Sequence, residues 1–175
     1  MESNNFNNSE FLSWNSRGIW NKKPFLEMYT QKHQPLGIAI QEIKLKKDHH
    51  FSISNYCFLS EPLEIDGIAQ GGVGFLMHKD VVHRRIPLKT KFQAIAIQAR
   101  LHKQVTLCNI YINPRQAFTQ ADLEELTQQL PKPYILTGDF NSHNTLWYDR
   151  NTDLLGRGQV LETFILENSL NILEM

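Results

Sequence analysis

Hydrophobic residues recur along the chain in short blocks of strand length, and three further blocks have the spacing of amphipathic helices. Strands are predicted where apolar and aromatic residues run together, and helices where apolar residues recur three and four positions apart. The predicted strands cover residues 11–15, 36–40, 56–59, 71–77, 92–100, 105–112, 134–137 and 170–173. The predicted helices cover residues 19–31 and 119–130 and a segment around 160–165.

The order of these elements predicts an α/β sandwich instead of a regular alternation of strands and helices. Several strands follow one another between residues 56 and 112, which favours antiparallel or mixed sheets. A chain of 175 residues is long enough for one domain, and no repeat or linker divides it. We predict one domain over residues 10–175 and a loose tail, rich in Asn and Ser, over residues 1–9.

The composition excludes several classes of protein. Hydrophobic residues make up 41% and charged residues 21%, which excludes a wholly disordered chain. Eighteen basic residues balance eighteen acidic ones, which excludes a polybasic coat protein. Two cysteines cannot build a disulfide framework or a zinc cluster. Neither a signal peptide nor a membrane-spanning run is found, so we predict an intracellular protein without a membrane partner.

Positive charge is concentrated in residues 79–104, which carry seven basic side chains and one acidic side chain. Such a segment could hold a polyanion, because phosphate contacts dominate the affinity of proteins for nucleic acids. The alternative is a pair of strands whose outward faces are simply solvated.

Polar residues follow apolar strands at four places where the chain enters a loop. These residues are Asn15, Glu42, Tyr111, and the pair Asp139 and Asn141. If the strands lie side by side, two carboxylates and two amides meet at one rim of the sheets. Carboxylates without paired His or Cys suit Mg²⁺ better than zinc. A carboxylate such as Asp139 could then orient or deprotonate a water that attacks a phosphodiester.

Each of these positions also has a simpler interpretation. Gln41 and Glu42 could be a polar strand end, Asn15 a turn former and Tyr111 a half-buried strand residue. The run Gly138–Asn141 is harder to explain, because turn chemistry accounts for its Gly, Asp and Asn but not for the buried strand directly before it.

Five motifs in order resemble the endonuclease/exonuclease/phosphatase family. They are Ser13-Trp14-Asn15, Ile40-Gln41-Glu42, Gly71-Gly72-Val73-Gly74, Cys108-Asn109-Ile110-Tyr111 and Leu136-Thr137-Gly138-Asp139-Phe140-Asn141. Within that family the chain is most similar to the endonuclease domains of jockey-type non-LTR (LINE) retrotransposons. Those domains have a Trp-Asn start, an Asn-Ile-Tyr strand, and a Gly-Asp-Phe-Asn-x-His loop leading to a Trp.

This resemblance implies a four-layered α/β/β/α sandwich with two mixed sheets. It also implies an endonuclease dependent on Mg²⁺, or on Mn²⁺, that nicks DNA in the nucleus and frees a 3′-hydroxyl to prime reverse transcription. By the same resemblance Glu42 would be the metal carboxylate and Asn15 would support the metal. Tyr111 would contact the scissile phosphate, Asp139 would position or activate the water, and Asn141 would orient water and phosphate.

Three further residues match the family less specifically as DNA contacts, namely Arg115, His143 and Trp147. His143 could equally stabilise its own loop, and Trp147 could be a packing residue. The reverse transcriptase expected as a partner does not occur within these residues, and the oligomeric state is left open.

One departure from the family pattern concerns the C-terminal end. The family continues with a strand bearing an Asp and then a Ser-Asp-His segment, and neither occurs before Met175. The resemblance therefore implies that the last strands are missing and that catalysis is impaired. Two alternatives stay open, namely a non-catalytic nucleic-acid-binding remnant that uses residues 79–104, and a sugar- or lipid-phosphate phosphatase of the same fold.

Overall fold

The first sheet contains four strands that the hydrophobic pattern predicted. A computed structural model describes residues 10–149, 151 and 156–173, so the predicted tail at 1–9 lies outside the described residues. The strands are β1 (Phe11–Asn15), β2 (Gly37–Gln41), β3 (Tyr56–Glu61) and β6 (Val73–His78), in the spatial order β1-β2-β6-β3. β1 and β2 are parallel, and the other neighbours are antiparallel. The sheet is therefore mixed.

The second sheet is also mixed and contains four strands. These are β7 (His83–Ile86), β8 (Gln93–Arg100), β9 (Gln104–Tyr111) and β10 (Tyr134–Asp139), in the order β10-β9-β8-β7. β9 and β10 are parallel, whereas β8 pairs antiparallel with both β7 and β9. A separate two-stranded hairpin comprises β4 (Glu64–Ile65) and β5 (Ile68–Ala69). The sequence pattern missed this hairpin and β7, because their short strands have no clear alternation.

In the part of the chain that the structure describes, three α-helices cover the outer faces of the sheets, as predicted. They are α1 (Lys23–His33), α2 (Gln120–Gln128) and α3 (Arg157–Glu167). The start of α2 is fixed by a capping box in which the Thr119 hydroxyl accepts from the Asp122 amide and the Asp122 carboxylate accepts from the Thr119 amide. α1 begins after a single 3-10 turn at Trp20–Lys22.

The alternation of side chains in β2 shows how the layers form. All five of its residues are buried. Ile38 and Ile40 pack in the cluster that contains Leu26 of α1, whereas Ala39 packs with Ile95 and other residues between the two sheets. On the far side of the second sheet, one cluster unites residues of β8 and β9, Cys108 among them, with residues of α2 and α3. The predicted four-layered α/β/β/α sandwich is confirmed.

Two amide side chains join the sheets inside this sandwich. Gln41 Nε2 donates to Asn109 Oδ1 at 2.6 Å. Asn109 Nδ2 donates back across the interface to the carbonyl oxygens of Ile40 and Gly74, at 3.0 and 2.8 Å. Gln41 and Asn109 are 1% and 0% exposed, so these hydrogen bonds form where water cannot replace them. We call this pair the inter-sheet amide clamp.

One predicted element is wrong. Residues 170–173 form no strand and follow α3 as irregular chain. Ile172 and Leu173 are 42% and 68% exposed, so the apolar pattern that predicted a strand is not buried against a sheet here. Among the helices of the described residues, none combines the length and apolar character that crossing a bilayer requires.

We expect Asn109→Ala to lower the free energy of unfolding by roughly 3 kcal/mol, because it removes three buried hydrogen bonds, one accepted from Gln41 and two donated to backbone carbonyl oxygens. Urea denaturation would measure the change. Gln104→Ala, at an exposed position of the same strand, should stay within about 0.5 kcal/mol of the unaltered chain. Equal losses in the two variants would contradict a structural role for the clamp.

Candidate active site

The residues singled out at strand ends meet at one edge of the sandwich. We call this edge the rim, and its residues are Asn15, Glu42, Tyr111, Asp139 and Asn141. Successive residues of a strand face opposite sides of the sheet. On β1, Ser13 faces inwards, where it accepts a hydrogen bond from Gln41, so Asn15 two positions later faces the same way. On β9, Asn109 and Tyr111 share the inner face by the same rule. β10 pairs in register with β9, and Asp139 lies opposite Tyr111.

The side chain of Asn15 connects the two carboxylates. Its Nδ2 atom donates to Glu42 Oε1 at 2.9 Å and to Asp139 Oδ2 at 2.7 Å. Its Oδ1 atom accepts from the backbone amide of Arg17 at 3.1 Å, which fixes the orientation of the amide group. One residue of the first sheet therefore holds a carboxylate from each sheet at hydrogen-bond distance, and the predicted convergence of these three side chains is observed.

Glu42 is held in its anionic form. Partial burial alone would raise the pKa of this carboxyl, but hydrogen bonds from Asn15, Lys44 and Tyr111, with the charge of Lys44, outweigh burial and lower the pKa below its ordinary value. The Lys44 ammonium lies 3.1 Å from Glu42 Oε2. Glu42 consequently stays charged to a lower pH than an ordinary glutamate does.

Tyr111 is neutral and acts as a hydrogen-bond donor to Glu42. Burial, followed by the charges of Glu42 and Asp139, raises its pKa to about 12. A phenol in this state can donate to an anion but does not carry negative charge near neutral pH. The hydroxyl is thus suited to contact a phosphate oxygen in place of, or beside, the Glu42 carboxylate.

The turn after β10 fixes Asp139 and Asn141 relative to each other. The backbone amide of Asn141 donates to Asp139 Oδ1 at 3.0 Å. The Asn141 Nδ2 atom donates to the Ile112 carbonyl oxygen at 2.9 Å. Asn141 therefore lies beside Asp139, while its side-chain nitrogen is bound to the chain.

Several residues at this rim have left-handed backbone conformations. Glu42 and Asn141 have φ of 49° and 48°, and Arg17 and Lys44 both have 49°. Such conformations cost of order 1–3 kcal/mol for residues other than glycine and often occur at functional sites. They turn the chain sharply at the end of a strand, which brings the next side chains over the rim instead of away from it.

An open cleft of about 470 Å³ adjoins these residues. Glu42 and Tyr111 line it, together with Ile65 and Ala69 of the small hairpin. The glycine turn before β6 is fixed by Gln93, whose Oε1 accepts from the Gly72 amide at 2.6 Å. A substrate in the cleft would reach the carboxylate and the phenol from the same side.

Of the three weaker sequence-predicted contacts, Arg115 is exposed in the turn after β9. Its backbone amide donates to Asn113 Oδ1 at 2.9 Å, and Asn113 lines the cleft. Arg115 therefore lies near the rim.

His143 and Trp147 make contacts within their own loop. His143 Nδ1 lies 2.6 Å from Asp149 Oδ2, a hydrogen bond that lowers the pKa of Asp149. Trp147 Nε1 donates to the Ser142 carbonyl oxygen at 3.1 Å, and its ring packs against the outer core of the second sheet. These contacts match the simpler interpretations, loop stabilisation and packing.

Comparison with known proteins agrees with this geometry. A family model described as "Endonuclease-reverse transcriptase" matches residues 105–175. The RNA-directed DNA polymerase from mobile element jockey of Drosophila funebris is 23% identical over 163 residues, which are 91% of this chain. The chain spans 18% of the length of the curated relatives that it matches.

Two solved structures resemble the chain. The endonuclease domain of TRAS1, a telomere-specific non-LTR retrotransposon, superimposes with a TM-score of 0.72 at 20% identity, covering 94% of this chain and 74% of that one. The 3′ phosphatase NExo from Neisseria, bound to a product DNA hairpin, gives 0.62 at 16% identity, covering 88% and 69%. The chain has the endonuclease/exonuclease/phosphatase fold. The resemblance to non-LTR retrotransposon endonuclease domains is confirmed.

Nucleases with the endonuclease/exonuclease/phosphatase fold generally depend on a divalent metal ion, and the donor set at the rim fits one. Among residues 10–149, 151 and 156–173, no group of three or more His, Cys, Asp or Glu side chains is arranged to hold a metal. Mg²⁺ needs only one or two carboxylates, with waters and substrate phosphate as its other ligands. The Glu42 carboxylate, with the Asn15 amide beside it, satisfies that requirement, whereas zinc would need more nitrogen or sulfur ligands.

Sequence reasoning missed the residues that support this rim. Lys44 lies outside every motif that the sequence analysis singled out, yet its ammonium contacts Glu42. Gln41 and Asn109 stood inside the quoted motifs, but nothing in a single sequence showed that they bond to each other. The available signal was an amide inside each of two buried strands, since buried amides need partners.

We expect Lys44→Met to raise the pKa of the Glu42 carboxyl towards its ordinary value, because the variant loses a hydrogen bond and a positive charge that favour the anion. At mildly acidic pH a larger fraction of Glu42 would then be protonated. Carbon-detected NMR titration of the side-chain carboxyl would measure this. Lys47→Met removes a nearby exposed charge and serves as the matched control; an unchanged pKa in Lys44→Met would contradict the assignment.

We expect Gly138→Ala to destabilise the fold by about 3 kcal/mol. Gly138 has φ of 135°, and a Cβ there would overlap the carbonyl oxygen of Ile110 on β9. Gly156→Ala is the control, because Gly156 also has positive φ (65°) but a Cβ meets nothing within 4 Å; its cost should be about 1 kcal/mol. Urea unfolding of both variants tests this, and similar losses would exclude the steric explanation.

Proposed function

We propose that this chain is the endonuclease part of a non-LTR retrotransposon protein and hydrolyses a phosphodiester bond in DNA with the help of Mg²⁺, Mn²⁺ being able to substitute. The cut would leave a 3′-hydroxyl that primes reverse transcription. We propose DNA and a reverse transcriptase of the same element as its partners, and the nucleus as the place of action, because the target is chromosomal DNA.

A single observation supports this proposal most strongly. The Asn15 amide donates to both Glu42 and Asp139, and thereby brings together carboxylates from two different sheets beside an open cleft. A sheet end needs no such arrangement for stability, since either carboxylate could be solvated at the surface. An acidic pair next to a neutral phenol is suited to chemistry at phosphorus, because one carboxylate can hold a cation, the other can accept a proton from water, and the phenol can donate to a phosphate oxygen.

Each side chain has a role that follows from its state. Glu42, with its lowered pKa, and Asn15 would hold the metal ion, which when bound would polarise the phosphate and stabilise the leaving oxygen. Tyr111 would donate a hydrogen bond to the scissile phosphate. Asp139 would accept a proton from the attacking water, and Asn141, held beside it by its own backbone, would orient the water and the phosphate.

The alternative of a non-catalytic DNA-binding remnant depends on the basic segment 79–104, and this segment is partly neutralised. Arg85 forms an ion pair with Glu61, and the Lys91 ammonium lies 2.8 Å from Asp122 Oδ2. β7, which carries Arg85, is the sheet strand farthest from β10 and Asp139. The segment is therefore better explained as a solvated surface.

Nicking of supercoiled plasmid by the 175-residue chain tests the proposal. We expect nicking in Mg²⁺, none in EDTA, and a rate at least about a hundredfold lower in Asp139→Asn or Glu42→Gln, the size of effect usual for a lost general base or charge stabiliser. The matched control is Glu125→Gln, which makes the same carboxylate-to-amide change at an exposed position on α2, and it should nick as the unaltered chain does.

Three results would contradict the proposal. Nicking that persists undiminished in Asp139→Asn would show that the rim takes no part in the reaction. Release of inorganic phosphate from a phosphomonoester, with no nicking of plasmid under the same conditions, would favour the phosphatase of the same fold. Salt-dependent DNA binding that is unaffected by EDTA, with neither activity, would favour the binding remnant.

A further inference from the structure

An exposed tryptophan stands beside the rim and takes no part in the proposed chemistry. Trp20 is 55% exposed. Its ring is nevertheless held in place, because the ring centroids of His49 and Phe51 lie 5.7 and 6.4 Å away. A large aromatic ring that is fixed but not covered loses little conformational entropy when a second ring stacks on it.

The backbone places Trp20 close to Glu42. The Gly18 amide donates to the Glu42 carbonyl oxygen at 2.8 Å, and the Ile19 amide donates to the Ile43 carbonyl oxygen at 3.1 Å. Trp20 follows directly, so its Cα lies within about 7 Å of the Gly18 Cα, the span of two extended residues. The backbone that carries the ring therefore lies close to the rim.

The surface around Trp20 is positively charged. It consists of the solvent-accessible residues of segments 16–23 and 44–50, which we call the Trp20 surface. Its charged residues are Arg17, Lys22, Lys23, Lys44, Lys46, Lys47 and Asp48. Two of the lysines have acidic neighbours, Lys23 with Glu27 and Lys44 with Glu42. The excess of positive charge around an exposed indole is the combination with which proteins bind unpaired nucleic acid strands, cations for the phosphates and rings for the bases.

We propose that the Trp20 surface binds a single strand of nucleic acid next to the rim, with one base stacked on the indole of Trp20. A paired duplex does not suit this surface, because its bases are already stacked on one another and expose only their edges. An acidic peptide would match the charge but would not require the ring. The inference deepens the proposed function, since the strand would be one that has been separated from its complement at the cutting site.

Fluorescence anisotropy with a short fluorescein-labelled oligothymidylate in EDTA tests this inference apart from the proposed function. No cleavage can occur without metal, so absence of nicking and absence of stacking are separate results. We expect Trp20→Ala to weaken binding about tenfold, the usual scale for loss of one stacked base, and Trp20→Phe to retain most of the affinity. Met28→Ala, at a 61% exposed apolar position on α1, should bind as the unaltered chain does.

Two further variants make the result decisive. Trp20→Leu keeps an apolar side chain against Phe51 but has no ring face, so it should bind as weakly as Trp20→Ala while unfolding at the same urea concentration as the unaltered chain. The double variant Lys46→Ala/Lys47→Ala should reduce the slope of log affinity against log salt by about 1.4, or about 0.7 per phosphate contact.

Three outcomes would overturn the inference. The first is unchanged binding in Trp20→Leu. The second is a loss in Met28→Ala as large as that in Trp20→Ala. The third is tighter binding of a fully paired duplex than of the single strand, with the same loss in Trp20→Leu and Trp20→Phe, since the indole would then contribute no stacking.

Discussion

The inter-sheet amide clamp is the interaction on which the rim depends. The other buried side chains between the two sheets are largely apolar, and apolar packing is non-directional, so it resists sliding of one sheet over the other only through shape. The hydrogen bonds between Gln41 and Asn109 have direction and cannot be exchanged for water. They lie one residue before Glu42 and two before Tyr111. The clamp therefore fixes the relative position of the sheets at the place where residues from both must meet.

The rim in turn brings together groups whose direct interactions with one another are unfavourable. Two carboxylates repel each other, and their approach is stabilised by the Asn15 amide between them and by the Lys44 ammonium on Glu42. Four left-handed residues add a backbone cost at the same place. Unfavourable terms concentrated in one small region of an otherwise regular sandwich are common at functional sites, where groups are held in position before a ligand arrives.

Much of this architecture follows from the sequence, and the exceptions have physical reasons. The buried strands β2, β6, β8 and β9 are predictable because a long apolar run must be buried, and a strand inside a sheet buries it. The strand predicted at 170–173 is absent because a short apolar run forms a strand only when it pairs with the edge of a sheet. The hairpin β4–β5 and the edge strand β7 are too short for periodicity to detect. The convergence of Asn15, Glu42 and Asp139 was predictable from strand ends, but the partnership of Gln41 with Asn109 and the contact of Lys44 depend on which strands face each other. The roles assigned to the site residues remain predictions.

The zero net charge of the chain has a consequence for how it would meet a polyanion. A molecule without net charge feels little long-range attraction, but the separation of its positive and negative groups gives it a dipole. The Trp20 surface concentrates positive charge at one side of the rim. The field of a nucleic acid would therefore orient the protein more than it would attract it. Orientation acts only within a Debye length or so, about 8 Å at physiological salt. Encounter rates would therefore be modest, and productive encounters would be selected by orientation more than by speed.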